Sequence, residues 1–124
     1  MKKLETQDIK ETFNLYASNE MIGKKIYMKR TDKESDMYYI YSISDIINTS
    51  FPIKYELKNC FMLLVPKNQD RKVHVYEKYK DIELKYIDVL YELDYNEWLE
   101  TFRVFVKYDG DYVRNLPSKI IQDN

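Results

Sequence analysis

The sequence is poor in the residues that most metal and nucleotide motifs require. Its 124 residues include one cysteine, one histidine, two glycines and three prolines. A structural zinc site takes four Cys or His ligands, so Cys60 and His74 cannot build one within the chain. An intrachain disulfide is excluded, and a single thiol fits a reducing compartment. Gly23 and Gly110 cannot supply a glycine-rich phosphate loop or a dinucleotide-binding turn. Any nucleophile–histidine arrangement would have to use His74. The alternation Val73-His74-Val75-Tyr76 turns that imidazole away from the two valines, toward the solvent side of a strand. Cys60 opens an apolar run and reads as a small buried hydrophobe. Asp32, Glu34 and Asp36 lack the glycine and the distal glutamate of a calcium loop. No metal and no cofactor is expected.

Long apolar runs are also missing. The longest, residues 61–66, is far too short to span a bilayer. The opening MKKLETQDIKETF carries no apolar stretch, so no secretory signal is expected and the protein reads as cytoplasmic. Alanine occurs once and lysine outnumbers arginine sixteen to four. The rare residues have GC-rich codons and the common ones AT-rich codons, so this composition points to an AT-rich genome, such as that of a low-GC bacterium, its phage or a large DNA virus.

What the chain has in quantity is tyrosine, thirteen in all, and charge of both signs. Its length is that of one domain, enough to bury roughly two thirds of the unfolded surface without covalent staples. Residues 6–19 read as a helix: Thr6 at the N-cap, Asp8 and Glu11 in the first turn, and Ile9, Phe13, Tyr16 and Ala17 as the stripe. Residues 24–30 alternate, with Ile26 and Met28 facing one way and Lys25, Tyr27 and Lys29 the other. A polar turn over 31–36 joins them to an aromatic strand over 37–42, a hairpin. Ser44-Asp45 offers a cap for a single helical turn through Ile46 and Ile47. Residues 53–65 read as strand, interrupted near Lys58-Asn59, with 60–65 placed centrally in the sheet because both its faces are apolar. Residues 72–79 alternate again.

Residues 87–95 alternate strictly, Ile87, Val89, Tyr91, Leu93 and Tyr95 against Asp88, Glu92 and Asp94, after a bulge at Tyr86-Ile87. The period then changes to that of a helix, with Trp98, Leu99, Phe102, Phe105 and Val106 in one stripe and Trp98 as its core anchor. Asp94 and Glu97 form an acidic capping box, Glu100 follows, Arg103 and Lys107 sit late, and Gly110 comes after the end. The run before Asp109-Gly110 also carries a hairpin signature, which the caps and dipole charges outweigh. Residues 111–124 read as a tail. The expected fold is one α+β domain spanning 1–124. It has an antiparallel sheet of about five strands, with an N-terminal and a C-terminal helix packed on one face.

Charge is uneven along the chain. Residues 1–80 carry fifteen Lys and Arg against eleven Asp and Glu, whereas 81–111 carry three against nine. The acids have structural duties open to them, at the helix dipole and on the wet face of a sheet. The functional expectation is a small non-enzymatic protein that binds a macromolecular partner, a protein with a basic surface, through Asp88, Glu92, Asp94 and Glu97 with Tyr91 and Tyr95. Size and composition suggest a phage or mobile-element inhibitor of a host factor. The alternative is a nucleic-acid-binding accessory protein using the basic hairpin 24–33, through Lys25, Tyr27, Lys29 and Arg30.

Overall fold

The computed structural model describes residues 2–4, 21–48, 54–77, 81–83 and 89–117, with 2–4, 81–83 and Val89 described as backbone alone. The helix expected over 6–19, the bulge at Tyr86-Ile87 and Asp88 lie outside these residues. The described chain forms seven strands and one α-helix: β1 Lys2–Leu4, β2 Lys25–Thr31, β3 Ser35–Asn48, β4 Lys54–Pro66, β5 His74–Glu77, β6 Asp81–Glu83, β7 Val89–Leu93 and α1 Tyr95–Tyr108. The five expected strands appear as β2, β3, β4, β5 and β7, and β1 and β6 add three residues each. All pairings are antiparallel, in the order β1-β7-β2-β3-β4, with β5 and β6 both on the outer side of β4.

Local chemistry explains the tight β2–β3 turn. The Asp32 carboxylate accepts hydrogen bonds from the backbone N–H of Glu34 at 2.9 Å and of Ser35 at 2.8 Å, an Asx turn that replaces backbone partners. Those same donors hold its carboxyl below the ordinary aspartate range. On β4 the expected interruption is a bulge. Asn59 adopts φ +52°, a left-handed conformation that asparagine tolerates better than most residues, and the register to β3 shifts between Ile40 and Ser42.

The single helical turn expected after Ser44-Asp45 is not formed. β3 continues through Asn48, because Ile43, Asp45 and Ile46 pair with Leu57, Glu56 and Tyr55 on β4. The cap signal is local, whereas the ladder satisfies several backbone groups at once, and the ladder wins. Ser44 instead donates its hydroxyl to the Glu56 backbone oxygen at 3.0 Å.

Alternation sorts the sheet into two apolar faces. One carries Ile26, Met28, Tyr39, Tyr41, Tyr55, Leu57, Cys60, Met62 and Leu90, with Met21 packed among them. The other carries Tyr27, Tyr38, Ile40, Leu63, Tyr91 and Leu93, and α1 lies across it through Phe105, Trp98 and Phe102. Phe105 is fully buried. The helix expected over the last third of the chain is therefore present, and the hairpin reading of 103–110 is not. Residues 111–117, expected as tail, are instead tied into the fold, with Val113 in the same core layer.

The tyrosines do much of the packing. Tyr27, Tyr41, Tyr55 and Tyr91 are among the largest fully buried side chains. Burial raises the Tyr41 phenol well above its ordinary range, reinforced by Cys60, Tyr55 and Tyr39 around it, and burial also raises Tyr55. In the unfolded chain these phenols ionise near pH 10. The folded state keeps both protons where the unfolded state has lost them, so their stabilising contribution is complete below that pH and declines above it. We expect stability to fall above about pH 10 by on the order of 1 kcal/mol per pH unit for each such tyrosine. Urea melts at pH 9, 10 and 11 check this. A second expected outcome is that Phe105→Ala costs about 3–5 kcal/mol, measured by the same melts.

Candidate functional site

The helix head organises the acidic candidates. Asp94 sits at the N-cap with extended backbone, and its Oδ1 accepts from the Glu97 N–H at 2.8 Å. The Glu97 carboxylate returns the bond by accepting from the Asp94 N–H at 3.0 Å. The reciprocal box satisfies donors that a helix start otherwise leaves open. Its backbone bond, from Glu97, also pulls the Asp94 carboxyl below the usual range. Asp94 is thus charged at neutral pH and structurally employed.

The other acidic candidates do not assemble around it. Glu92 alternates with Tyr91 and Leu93 and so lies on the opposite sheet face, with Leu90. There it accepts from the Lys24 ammonium at 2.7 Å, in a pair about 30% exposed on each side. β7 was expected to show a wet acidic face. Instead it is an inner strand between β1 and β2, and Leu90 beside Glu92 is completely buried. Tyr91 is 1% exposed and stacks on Tyr27 at 5.6 Å, which makes it a core residue. Tyr95 is the exception, 62% exposed as the first residue of α1.

The basic hairpin is likewise divided. Tyr27 is fully buried, stacked between Tyr38 and Tyr91, so its ring cannot receive a base. Lys25 and Lys29 share its face, with their ammonium groups 5.9 Å and 5.4 Å from the rings of Tyr95 and Tyr38. Arg30 alternates to the other face, half-buried, with its Nε enclosed and without a hydrogen-bond partner. The four candidates are not gathered on one surface.

His74 lies on β5, half-exposed, with Nδ1 4.0 Å from Asp109 Oδ1 and its ring edge-on to Tyr76 at 6.3 Å. Asp109 is already the acceptor for the Val75 N–H at 2.9 Å. Among the described residues no group of three or more His, Cys, Asp or Glu is placed to hold a metal ion. No described helix is long and apolar enough to cross a membrane. A cleft of about 410 Å³ beside the β2–β3 turn is lined by Glu34, Ser35, Leu64, Pro66, Lys67 and Arg71, a mixed-charge wall.

Tyr95 was among the expected partner-binding residues, but Leu99 and Val106 were expected in the packing stripe of the helix, and Val106 lies outside the packed face. Tyr95, Leu99 and Val106 fall within about 40° of one another around the helix axis. Val106 is 52% exposed, Leu99 is half-buried, and the line runs beside the core contacts of Trp98 and Phe102. The signal was present, since the apolar stripe on α1 is wider than one sheet face can cover. The fold is that of an antiparallel sheet with a C-terminal helix on one face. No family model matches the chain, and no curated protein or solved structure does so either.

Trp98 holds the helix down beside this line. It stacks on Phe102 at 5.6 Å and meets Phe61 edge-on at 6.2 Å, while its indole nitrogen is enclosed without an acceptor. Trp98→Ala should cost about 3 kcal/mol, the low end for a large aromatic because the ring is only partly buried. Trp98→Phe should recover most of that loss, since it keeps the ring contacts and removes the unpaired donor. His74→Ala should change stability by less than about 0.5 kcal/mol. Thermal melts of the three variants check these values.

Proposed function

We propose that the protein is a non-enzymatic binding protein, and that it engages a protein partner through the outer flank of α1, centred on Tyr95. The observation that carries this reading is the exposure of Tyr95, 62%, at the head of the apolar line with Leu99 and Val106. Tyrosine buries a large area at low entropy cost and keeps a polar tip, which suits it to a contact centre. Contiguous exposed apolar groups on a helix flank are a recurring mark of protein contact.

Charge suggests the kind of partner. Asp94, Glu97 and the exposed Glu100 surround the head of the helix, and the capping box uses one oxygen of each of the first two. A partner presenting lysine or arginine next to an apolar contact would complement them. Lys25 on the Tyr95 ring limits how acidic this patch is, so the apolar line would supply most of the affinity and the carboxylates the steering.

The reading is tested with Tyr95→Ala and Glu100→Gln against a partner captured from host lysate. Tyr95→Ala should weaken binding roughly tenfold or more, as a central anchor does, with an unchanged melting curve. Glu100→Gln should slow association and flatten its salt dependence. Parental binding by Tyr95→Ala would remove the proposed site. If the wild type instead binds single-stranded oligonucleotide, and neutralising Lys25 and Lys29 abolishes it, the function moves to nucleic acid.

A further inference from the structure

The cleft of about 410 Å³ lies between two turns at the same end of the sheet, and both of its walls are fixed. One wall is the β2–β3 turn, held by the Asp32 carboxylate on the Glu34 and Ser35 N–H groups. The other is the loop from β4 to β5. There the Asn68 side chain accepts from the Asp70 N–H at 2.9 Å, and the Arg71 N–H donates to the Asn68 oxygen at 3.2 Å. The segment after α1 braces this loop from outside. The Val113 N–H donates to the Arg71 oxygen at 2.8 Å and the Arg114 N–H to the Gln69 oxygen at 3.0 Å. A bond from the Lys67 N–H to the Glu34 oxygen, 2.8 Å, joins the two walls.

Ser35 pairs with Pro66 and Met37 with Leu64, so these side chains share one sheet face, the one turned away from α1. Leu64 and Pro66, both half-buried, form the apolar part of the cleft. Its charged part carries both signs: Glu34 stands on one wall, Lys67 and Arg71 on the other. Among the described residues neither the Glu34 carboxylate nor the Arg71 guanidinium makes an ion pair or a hydrogen bond. Opposite charges therefore line one cleft without closing on each other. Lys67 is partly engaged elsewhere, because the Asp32 carboxyl is lowered chiefly by its backbone donors and in small part by Lys67. Arg71 is left as the cation that faces a ligand.

We propose that this cleft binds a small zwitterion with an apolar body, an α-amino acid or a dipeptide, through Arg71 and Glu34. The planar fork of Arg71 matches a carboxylate, which it can bind through two parallel hydrogen bonds. The Glu34 carboxylate accepts from the ligand's ammonium, and the apolar body covers Leu64 and Pro66. A simple anion would meet repulsion from Glu34, and a simple cation would meet it from Lys67 and Arg71. The volume falls in the range of about 300–1,000 Å³ usual for small-molecule sites. The site lies on the opposite face from the α1 flank, and neither reading depends on the other.

Titrations followed through the backbone amide resonances test it. The ligands are L-leucine, leucyl-leucine, 4-methylpentanoate, which lacks the ammonium, and 3-methylbutylamine, which lacks the carboxylate. At least one of the two zwitterions should give saturable shifts at Glu34, Ser35, Leu64, Lys67 and Arg71, with a midpoint of about 1 mM or below. The tighter of the two identifies the source. Each single-charge analogue should bind about tenfold more weakly, the cost of one charge-assisted hydrogen bond. Arg71→Gln should remove the preference over 3-methylbutylamine, and Glu34→Gln the preference over 4-methylpentanoate. Both side chains are exposed and unpaired, so the two melting curves should match the parent's. The inference is overturned if neither zwitterion shifts these resonances up to about 20 mM, well above the expected midpoint. It is also overturned if 4-methylpentanoate binds as tightly as the zwitterions, because recognition would then not use Glu34.

Discussion

The antiparallel pairing of β7 with β2 is the constraint on which the rest of the fold depends. β7 is the last of the described strands, yet it lies between β1 and β2, with Tyr27 opposite Tyr91 and Lys25 opposite Leu93. The two tyrosine rings stack at 5.6 Å, and Tyr38 extends the stack from β3 at 6.3 Å. This layer is the floor on which α1 rests. Because β7 ends on the β2 side of the sheet and residues 109–113 bond to residues 71–75 at the start of β5, α1 must cross the face between them. A capping box fixes its first turn, and bonds from residues 109–113 to Arg71, Val73 and Val75 fix the segment beyond its last. Removal of the β7–β2 pairing would leave α1 with neither its starting point nor its packing layer.

How much of this was legible depended on whether the deciding interaction was local. The α1 start was legible, because Asp94 and Glu97 sit three residues apart immediately before an amphipathic run, and the box they form involves nothing distant. The turn at Asp32 and the bulge near Asn59 were legible for the same reason. Ser44-Asp45 was misread, since a local cap signal there competes with a ladder to β4 that sequence alone does not reveal. The position of β7 was illegible in the same way. Alternation identified it as a strand, but only its neighbours decide whether Glu92 faces water or, as here, a lysine in a partly covered pair.

The candidate site was less legible than the fold, and Tyr91 and Tyr95 show why. Both belong to the same alternating set, so a period of two assigns them to one face. In the structure Tyr91 ends in the core and Tyr95 in solvent, because the helix begins between them and turns the second ring outward. Tyr27 and its flanking lysines show the converse case. Basic residues interleaved with an aromatic resemble a stacking platform, but the central ring is the one most deeply packed. Acidic and basic residues that looked like two surfaces are divided between faces, caps and pairs. Among the described residues, the α1 flank still exposes Tyr95 and Val106 beside the helix's core contacts.

The tyrosines are thus partitioned: Tyr27, Tyr41, Tyr55 and Tyr91 build the core, and Tyr95 is displayed. Nitration of the native protein under limiting reagent, read residue by residue by mass spectrometry, tests that partition most directly. Tyr95 should be modified early, with the four core rings protected until the protein unfolds. Modification of Tyr27 or Tyr91 at the rate of Tyr95 in the folded protein would contradict it, and with it both the packing layer beneath α1 and the surface proposed for binding.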